Sequence, residues 1–252
     1  MIKIISKEEQ AQGAFDQGKI LERKPIGFPQ DGGKQQPYST LFYWAHAWSN
    51  TGGLIGEHPH KGFEIMSFVL SGEIEHYDSN LKGWKKLNEG DVQIIRAGSG
   101  ITHAEKINPN SSIFQIWFDP DLNKTLSKAA SYNDYPASTF PVYEDADMKT
   151  KVFVGGTEIN MDSKVDYIQE ITFTTAQKQF PLNLEAVYSF FILEGALSFN
   201  NHQMQKGDYA IVKEESSMDF STIEKGTRIF IIKTPLKPGF STYADMMSKQ
   251  FN

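Results

Sequence analysis

The sequence predicts an all-β fold of two tandem β-barrels with a few short helices. Short runs rich in aromatic and β-branched residues recur along the 252 residues, and glycines and other turn residues interrupt them, as is typical of β-strands. Helical periodicity is scarce. A degenerate internal repeat also divides the chain into two similar parts, which favours two barrels over one large sandwich.

The predicted strands are distributed over both halves of the chain. Those of the first half cover residues 41–48, 65–70, 91–96 and 113–118, and those of the second half cover residues 152–154, 167–173, 187–193, 209–212 and 228–232. Helices are predicted only at residues 123–131 and 243–250.

The repeat consists of two pairs of similar segments. Ser-Phe-Val-Leu-Ser-Gly at 67–72 resembles Phe-Phe-Ile-Leu-Glu-Gly at 190–195, and Gly-Asp-Val-Gln-Ile-Ile at 90–95 resembles Gly-Asp-Tyr-Ala-Ile-Val at 207–212. Each copy is interpreted as strand, turn, strand, Gly-Asp turn and strand. We place the division in the proline-containing stretch 119–143, which gives expected domains of residues 1–130 and 131–252.

Composition excludes several classes of protein. The formal net charge is −6 and there is no long basic run, so a nucleic-acid surface is not expected. The chain has no cysteine, so any metal must be bound by nitrogen and oxygen. No apolar run approaches the roughly 18–20 residues that span a bilayer, and the N-terminus lacks a secretory signal. We therefore expect a cytoplasmic protein without membrane association.

Two histidine-containing motifs indicate a metal site. His58 and His60 are two residues apart, as are His103 and Glu105, and this spacing places both side chains of each pair on one face of a strand. Two such strands side by side would direct three imidazoles and one carboxylate at one point. This donor set suits Fe(II), Mn(II), Co(II), Ni(II), Cu(II) or Zn(II) and leaves coordination positions open for chemistry.

The identity of the carboxylate is open at this point. Glu64 follows His60 by four residues and would share its face in an unbroken strand, but Lys-Gly-Phe at 61–63 invites a bend. Glu105 is therefore favoured modestly, and Glu64 is a candidate to orient a ligand histidine. The same offsets in the second repeat reach no histidine or carboxylate, so we expect the second barrel to be metal-free.

The other histidines carry weaker signals. His46 shares a predicted strand face with Phe42, Trp44 and Trp48, which is interpreted either as plain core or as the aromatic wall of a ligand pocket. His76 lies near a predicted hairpin end, where we expect it to be exposed or hydrogen-bonded.

The motifs resemble those of a known family. His-Pro-His-Lys-Gly-Phe-Glu at 58–64, with Gly52 before it, resembles the first motif of the cupin superfamily, and the stretch from Gly90 to His103 resembles its second. More narrowly, the segment 58–64 together with Ala-Gly-Ser-Gly-Ile-Thr-His-Ala-Glu at 97–105 resembles the pirin family, as does Phe-Gln-Ile-Trp at 114–117. The clear match covers roughly residues 50–120.

The resemblance implies a bicupin of two jelly-roll-like barrels, with one metal in the N-terminal barrel and a degenerate C-terminal barrel. It implies His58, His60, His103 and Glu105 as ligands, Fe(II) as the expected metal, and Glu64 outside the ligand set. Two barrels in one chain already supply the pairing that single cupins often reach by dimerising, so we expect a monomer.

Bacterial members of the family are associated with quercetin 2,3-dioxygenase activity. We therefore expect an oxygen-dependent dioxygenase acting on a flavonol-like or other enolic aromatic substrate, with Glu105 also accepting the substrate hydroxyl proton. One alternative is a non-catalytic metal-dependent or redox-sensing regulator that binds a protein partner, because pirins of higher organisms are linked to iron-dependent regulation of transcription. Another is a cupin isomerase or decarboxylase that consumes no oxygen.

Overall fold

The computed structural model describes residues 1–174, 177–200, 202–224 and 226–250. Strands make up 56% of the chain and helices 7%, which confirms the predicted all-β class. Each of the nine predicted strands overlaps an observed strand. In the described part of the chain neither α-helix has the length and hydropathy needed to cross a membrane.

The first eleven strands, in chain order, are β1 (Ile2–Ile5), β2 (Ala11–Phe15), β3 (Ile20–Ile26), β4 (Leu41–Ser49), β5 (Gly53–His60), β6 (Glu64–Ser71), β7 (Glu73–Asp78), β8 (Trp84–Asn88), β9 (Val92–Arg96), β10 (Ile101–Ile107) and β11 (Ser111–Phe118). The next eleven are β12 (Ser131–Tyr135), β13 (Val142–Glu144), β14 (Met148–Val154), β15 (Tyr167–Phe173), β16 (Gln177–Pro181), β17 (Ala186–Glu194), β18 (Ala196–Phe199), β19 (His202–Gln205), β20 (Tyr209–Lys213), β21 (Ser217–Thr222) and β22 (Arg228–Pro235). The α-helices are α1 (Leu122–Thr125) and α2 (Tyr243–Gln250), and short 3-10 helices occur at Asp16–Gly18, Pro29–Asp31 and Ala137–Thr139.

The chain divides into two compact units, and neither is contiguous in sequence. The N-terminal unit comprises Gln10–Thr139 and the segment from Phe240 onwards, whereas the C-terminal unit comprises Met1–Glu9 and Phe140–Gly239. The units therefore differ at both termini from the expected domains 1–130 and 131–252. The physical reason is strand and helix docking: β1 pairs with β20, and α2 packs on the core of the N-terminal unit.

Each unit consists of two open antiparallel sheets, as in a jelly roll, rather than a continuous closed barrel. The sheets of the N-terminal unit have the strand orders β12-β9-β6-β11-β4-β3-β2 and β5-β10-β7-β8, and those of the C-terminal unit have the orders β1-β20-β17-β22-β15-β14-β13 and β16-β21-β18-β19. The repeated sequence segments fall on equivalent strands, β6 and β9 in one unit and β17 and β20 in the other. The glycines that end both first segments, Gly72 and Gly195, have φ values of +71° and +75°, which a side chain would strain.

The core of the N-terminal unit lies between its two sheets. Buried apolar side chains from both sheets meet there, namely Ile20, Ala47, Ile55, Val69, Ile74, Leu87, Ile107 and Ile113. A second cluster contains Phe42, Tyr43, Ile65, Ile95 and Trp117, and Ala244 and Met247 of α2 pack against it. The two clusters fix strands β5 and β10, which carry the predicted metal ligands.

The C-terminal unit has aromatic side chains in the corresponding region. Strands β16 and β21 hold the sheet positions that β5 and β10 hold in the N-terminal unit, and their rings Phe180 and Phe220 lie 5.1 Å apart. Phe220 also packs against Phe173 and Phe190 in the core. The expectation of a metal-free second barrel stays a prediction.

The first predicted helix, at 123–131, is largely wrong. Helix α1 ends at Thr125, and residues 131–135 form β12, which pairs with β9 in the large sheet. Pairing with a strand distant in sequence overrides a weak local helical preference. The second predicted helix is confirmed as α2. Asp119, far from it in sequence, accepts hydrogen bonds from the backbone N–H groups of Tyr243 and Ala244 at its start.

Candidate metal centre

Three of the predicted ligands converge at one point between β5 and β10. These strands are antiparallel neighbours, and His103 lies directly opposite His58 in their register. The Nε2 atom of His103 lies 3.0 Å from Nε2 of His58 and 2.9 Å from Nε2 of His60. The two-residue spacing of His58 and His60 therefore places both imidazoles on the face that meets β10, as the sequence predicts.

The spacing of these nitrogens fits a shared metal ion. Two nitrogen donors that are each about 2.1 Å from one ion, and at right angles to each other, lie about 3.0 Å apart. Neutral imidazoles whose lone pairs face one point repel each other unless a cation or a proton lies between them. The donor set thus matches the borderline divalent metals that imidazole prefers.

Local hydrogen bonding and burial favour neutral imidazoles, which can bind a cation through a nitrogen lone pair. The Nδ1 atom of His58 lies 2.8 Å from the carbonyl oxygen of Gly56, so a proton on Nδ1 leaves the lone pair on Nε2. Burial, reinforced by the neighbouring imidazoles, lowers the pKa of His60 and of His103 to about 3. Both rings are therefore neutral at neutral pH.

Glu105 lies close to this cluster but outside the group of three imidazoles. Its carboxylate is fully buried, Oε1 accepts a hydrogen bond from Ser67 Oγ at 3.1 Å, and Oε2 accepts one from the side-chain amide of Gln115. The potential ligand atoms of Glu105 instead fall within 4.8 Å of those of His103 and His76. Its role as the fourth ligand and its role as a base both stay predictions.

His76 is a member of the site that the sequence did not reveal. The expectation that it could be exposed is wrong, because the side chain is fully buried, whereas the expected hydrogen bond is present, with Nε2 3.2 Å from Oδ2 of Asp78. Its ring stacks on Tyr132 with centroids 4.9 Å apart. The signal in the sequence was the alternation in β7, which places Ile74, His76 and Asp78 on the buried face.

Glu64 lies outside both groups of potential metal ligands found among the described residues. It is buried on β6, opposite Arg96 of β9, and its Oε1 atom lies 3.5 Å from Nε of Arg96. Its suggested role in orienting a ligand histidine stays a prediction.

A cavity of about 290 Å³ opens onto His58 and His60. Its aromatic walls include Phe28, Tyr43 and Trp117, and the rings of Trp117 and His60 are nearly perpendicular, with centroids 4.7 Å apart. The interpretation of His46 and its face as the pocket wall is wrong, because β4 contributes Tyr43 and Ala47 from its other face. The cavity also reaches two buried charged residues that were not expected, Glu22 and Lys24.

Comparison with known proteins agrees with this fold. The family model described as Pirin matches residues 33–118. A Pasteurella multocida protein provisionally named quercetin 2,3-dioxygenase is 31% identical over 173 residues, which cover 66% of this chain and 71% of that protein. The quercetin 2,3-dioxygenase of Escherichia coli K12 is 43% identical over a shorter stretch of 73 residues, 27% of this chain and 31% of that one.

Solved structures share the fold along most of the chain. Quercetin 2,3-dioxygenase from Acinetobacter baumannii superposes with a TM-score of 0.79 at 20% identity, covering 94% of this chain and 80% of that one. The bacterial pirin YhhW from Escherichia coli, in complex with nickel(II), superposes with a TM-score of 0.73 at 19% identity, covering 93% and 99%. At such identities these structures show the fold alone. Together with the sequence matches, the two-unit jelly-roll architecture and the converging imidazoles, they lead to one conclusion: this chain belongs to the pirin family.

Proposed function

We propose that this protein is a mononuclear metal-dependent dioxygenase that acts on flavonol-like or other enolic aromatic compounds. The observation that carries the proposal is the convergence of three imidazole Nε2 atoms at an aromatic-walled cavity. The names of the Pasteurella and Escherichia coli relatives support the reaction class.

His58, His60 and His103 would hold the metal, with Glu105 as the proposed fourth ligand. The nickel(II) complex of the Escherichia coli pirin supports a divalent transition metal in this fold, and we propose Fe(II) as the metal of this chain. A bound metal of this kind supplies Lewis acidity and open coordination positions. The protein supplies neutral imidazoles, held by burial and by the contact of His58 with Gly56.

Glu105 is the proposed acceptor of the substrate hydroxyl proton. Its two oxygens accept hydrogen bonds from Ser67 and Gln115, which hold the carboxylate in one orientation. Glu105 also lines the cavity, so a substrate oxygen bound beside the imidazoles would lie near it.

The aromatic walls suit a planar substrate and exclude water from it. Phe28 stacks on Tyr43 with centroids 4.9 Å apart, and Trp117 lies 4.9 Å from Tyr43. Offset and edge-to-face contacts with these rings would hold an aromatic ligand. A cavity lined by such side chains also strengthens the electrostatic interactions inside it.

An oxygen-uptake assay tests the proposal. The purified protein is first analysed for its metal content and then loaded with Fe(II), and oxygen consumption is followed with a panel of enolic phenols that includes quercetin. We expect uptake in proportion to substrate, and its loss in His103→Ala but not in His202→Ala, which removes an exposed histidine of the other unit.

Fully loaded protein that consumes no oxygen with any of these compounds would contradict the proposal and favour the regulatory alternative. Substrate conversion without oxygen uptake would favour an isomerase or decarboxylase. A cytoplasmic location and a monomeric state stay predictions.

A further inference from the structure

Strand β3 carries two charged residues on its buried face. The side chains of Ile20, Glu22 and Lys24 alternate towards the interior, and Glu22 and Lys24 are only 6% and 8% exposed. Burial of ionised groups is unfavourable unless they are well paired, and apolar residues of similar size are often at least as stabilising. A glutamate and a lysine at core positions of a strand therefore call for a functional explanation.

The pairing of these two residues is incomplete. Lys24 Nζ lies 3.1 Å from Asp31 Oδ2 and 3.6 Å from Glu22 Oε2. Tyr43 donates a long hydrogen bond of 3.4 Å to Oε1 of Glu22, whereas Oε2 accepts none from the described residues. A buried carboxylate oxygen without a donor is unusual and keeps unused capacity to accept a hydrogen bond. Burial raises the pKa of Glu22, and the charge of Lys24 acts against this rise.

Gly13 makes room for this carboxylate. It lies opposite Glu22 in the pairing of β2 with β3, and a Cβ atom on it would lie 2.5 Å from Oε2 of Glu22 and 3.0 Å from Cε of Lys24. Any side chain at position 13 would therefore displace one of the two charged groups.

Glu22 and Lys24 line the same cavity as His58 and His60, together with the ring of Tyr43. We propose that Glu22 and Lys24 form a polar binding centre that selects aromatic ligands with a free hydroxyl group. The hydroxyl donates to Oε2 of Glu22, and its oxygen faces the ammonium group of Lys24. This proposal rests on the proposed function, because it names a feature of the substrate that the same pocket selects. The contact with Glu22 and Lys24 is a second polar contact of the substrate. It is separate from the contact of the substrate oxygen that lies beside the imidazoles.

Methylation of the ligand hydroxyl removes the donor, so the centre should discriminate between a phenol and its methyl ether. The probes are quercetin with its 3′-, 4′- and 7-O-methyl ethers, and catechol with its monomethyl ether. Binding to the metal-loaded protein is measured by calorimetric titration without oxygen, so that no turnover consumes the ligand. We expect at least one ether in the panel to bind about tenfold more weakly than its parent phenol.

The variants are Glu22→Gln, the pair Glu22→Gln with Lys24→Met, and Gly13→Ala, which displaces the carboxylate without changing charge. We expect each to bind the phenols more weakly and to lose most of the discrimination against the ether. The matched control is Glu73→Gln with Lys86→Met, which removes an ion pair of the same unit that does not line the cavity. Metal content and melting temperature are measured for every variant, since a purely structural role would lower the melting temperature and leave the ratio of phenol to ether affinity unchanged.

Three results would overturn the inference. Wild-type discrimination that survives in all three variants overturns it while leaving the dioxygenase proposal intact, because oxygen uptake tests that proposal separately. Equal wild-type affinity for every phenol and its ether overturns it in the same way. If the wild-type protein binds none of the phenols, the inference falls whatever the oxygen assay shows. Tighter binding of catechol than of its monomethyl ether, without oxygen uptake, would support the binding centre and contradict only the proposed function.

Discussion

The side-chain amide of Gln115 donates a hydrogen bond to Oε2 of Glu105 and so fixes the orientation of that carboxylate. The amide is itself oriented, because its Oε1 atom accepts a hydrogen bond of 3.0 Å from Nε1 of Trp117. The Trp117 ring in turn meets His60. A continuous series of contacts thus runs from the carboxylate through an amide and an indole to one of the imidazoles.

Replacing Gln115 by Met should therefore affect both stability and metal binding. The change leaves Oε2 of Glu105 and the indole N–H without their partner, so we expect a loss of about 1–3 kcal/mol in the free energy of unfolding. We also expect metal affinity to fall about tenfold or more, as with other residues that orient ligands. Urea unfolding and competition with a chelator measure the two effects.

The control for this variant is Gln12→Met, which alters an exposed glutamine on β2. Unchanged metal affinity in Gln115→Met, with normal folding, would show that Gln115 does not position Glu105 for the metal.

Glu105→Gln separates the two roles proposed for Glu105. The three imidazoles remain, so we expect metal content to fall only modestly, whereas loss of the base should lower turnover by about 100-fold or more. Metal analysis and steady-state kinetics on the same preparation make the comparison, with Glu75→Gln on the outward face of β7 as control. Equal losses of metal and turnover would instead indicate a role as ligand only.

The part of the site that follows from strand periodicity was predictable from the sequence. Because side chains alternate along a strand, His58 and His60 lie on one face of β5. No strand-breaking residue lies between His103 and Glu105, so these two side chains likewise lie on one face of β10. The direction of the Glu105 carboxylate was not predictable, because Ser67 on β6 and Gln115 on β11 determine it. These partners are distant in sequence, and their side chains are brought together only by the sheet order.

The N-terminal residues also have features that could not be predicted from the local sequence. Local pattern does not reveal that β1 pairs with β20, or that the inward face of β3 carries Glu22 and Lys24. Apolar residues at every second position would have indicated a buried strand face. Two charged residues occupy these positions in β3 and interrupt that pattern. The repeat, by contrast, was readable because both copies keep the same glycine turns at Gly72 and Gly195.

The metal-free protein should lose stability as the pH falls below neutrality. The pKa values of His60 and His103 are about 3 in the folded protein, whereas an unfolded histidine titrates near the ordinary 6.5. Between these values the unfolded chain binds more protons than the folded one, so the free energy of unfolding decreases by at most about 1.4 kcal/mol per pH unit for each imidazole. The pKa of buried His76 is also lowered, which acts in the same direction.

Urea unfolding of the metal-free protein between pH 7 and pH 4.5 checks this slope. The double variant His60→Gln with His103→Gln removes both imidazoles, so its stability should depend on pH much less steeply. Parallel pH profiles for the variant and the wild type would show that these histidines are not the groups that titrate.

Asp119 should contribute a pH dependence of the opposite sign. Burial raises its pKa to about 6, against 3.8 ordinarily, although its carboxylate accepts hydrogen bonds from the first N–H groups of α2. Because the folded protein holds this proton more tightly, the stabilisation is complete below pH 3.8 and is lost as the pH rises through 6. An asparagine can accept the same capping bonds without ionising.

The variant Asp119→Asn should accordingly gain in melting temperature relative to the wild type as the pH is raised from 5 to 8. Asp119→Ala provides the contrast, because it removes the cap and should cost about 0.5–2 kcal/mol at pH 5, and less at pH 8, where the wild type has lost the stabilisation from the protonated carboxyl. Scanning calorimetry of the three proteins at each pH decides the matter. A difference between Asp119→Asn and the wild type that is the same at pH 5 and pH 8 would mean that the Asp119 carboxyl keeps one protonation state across this range.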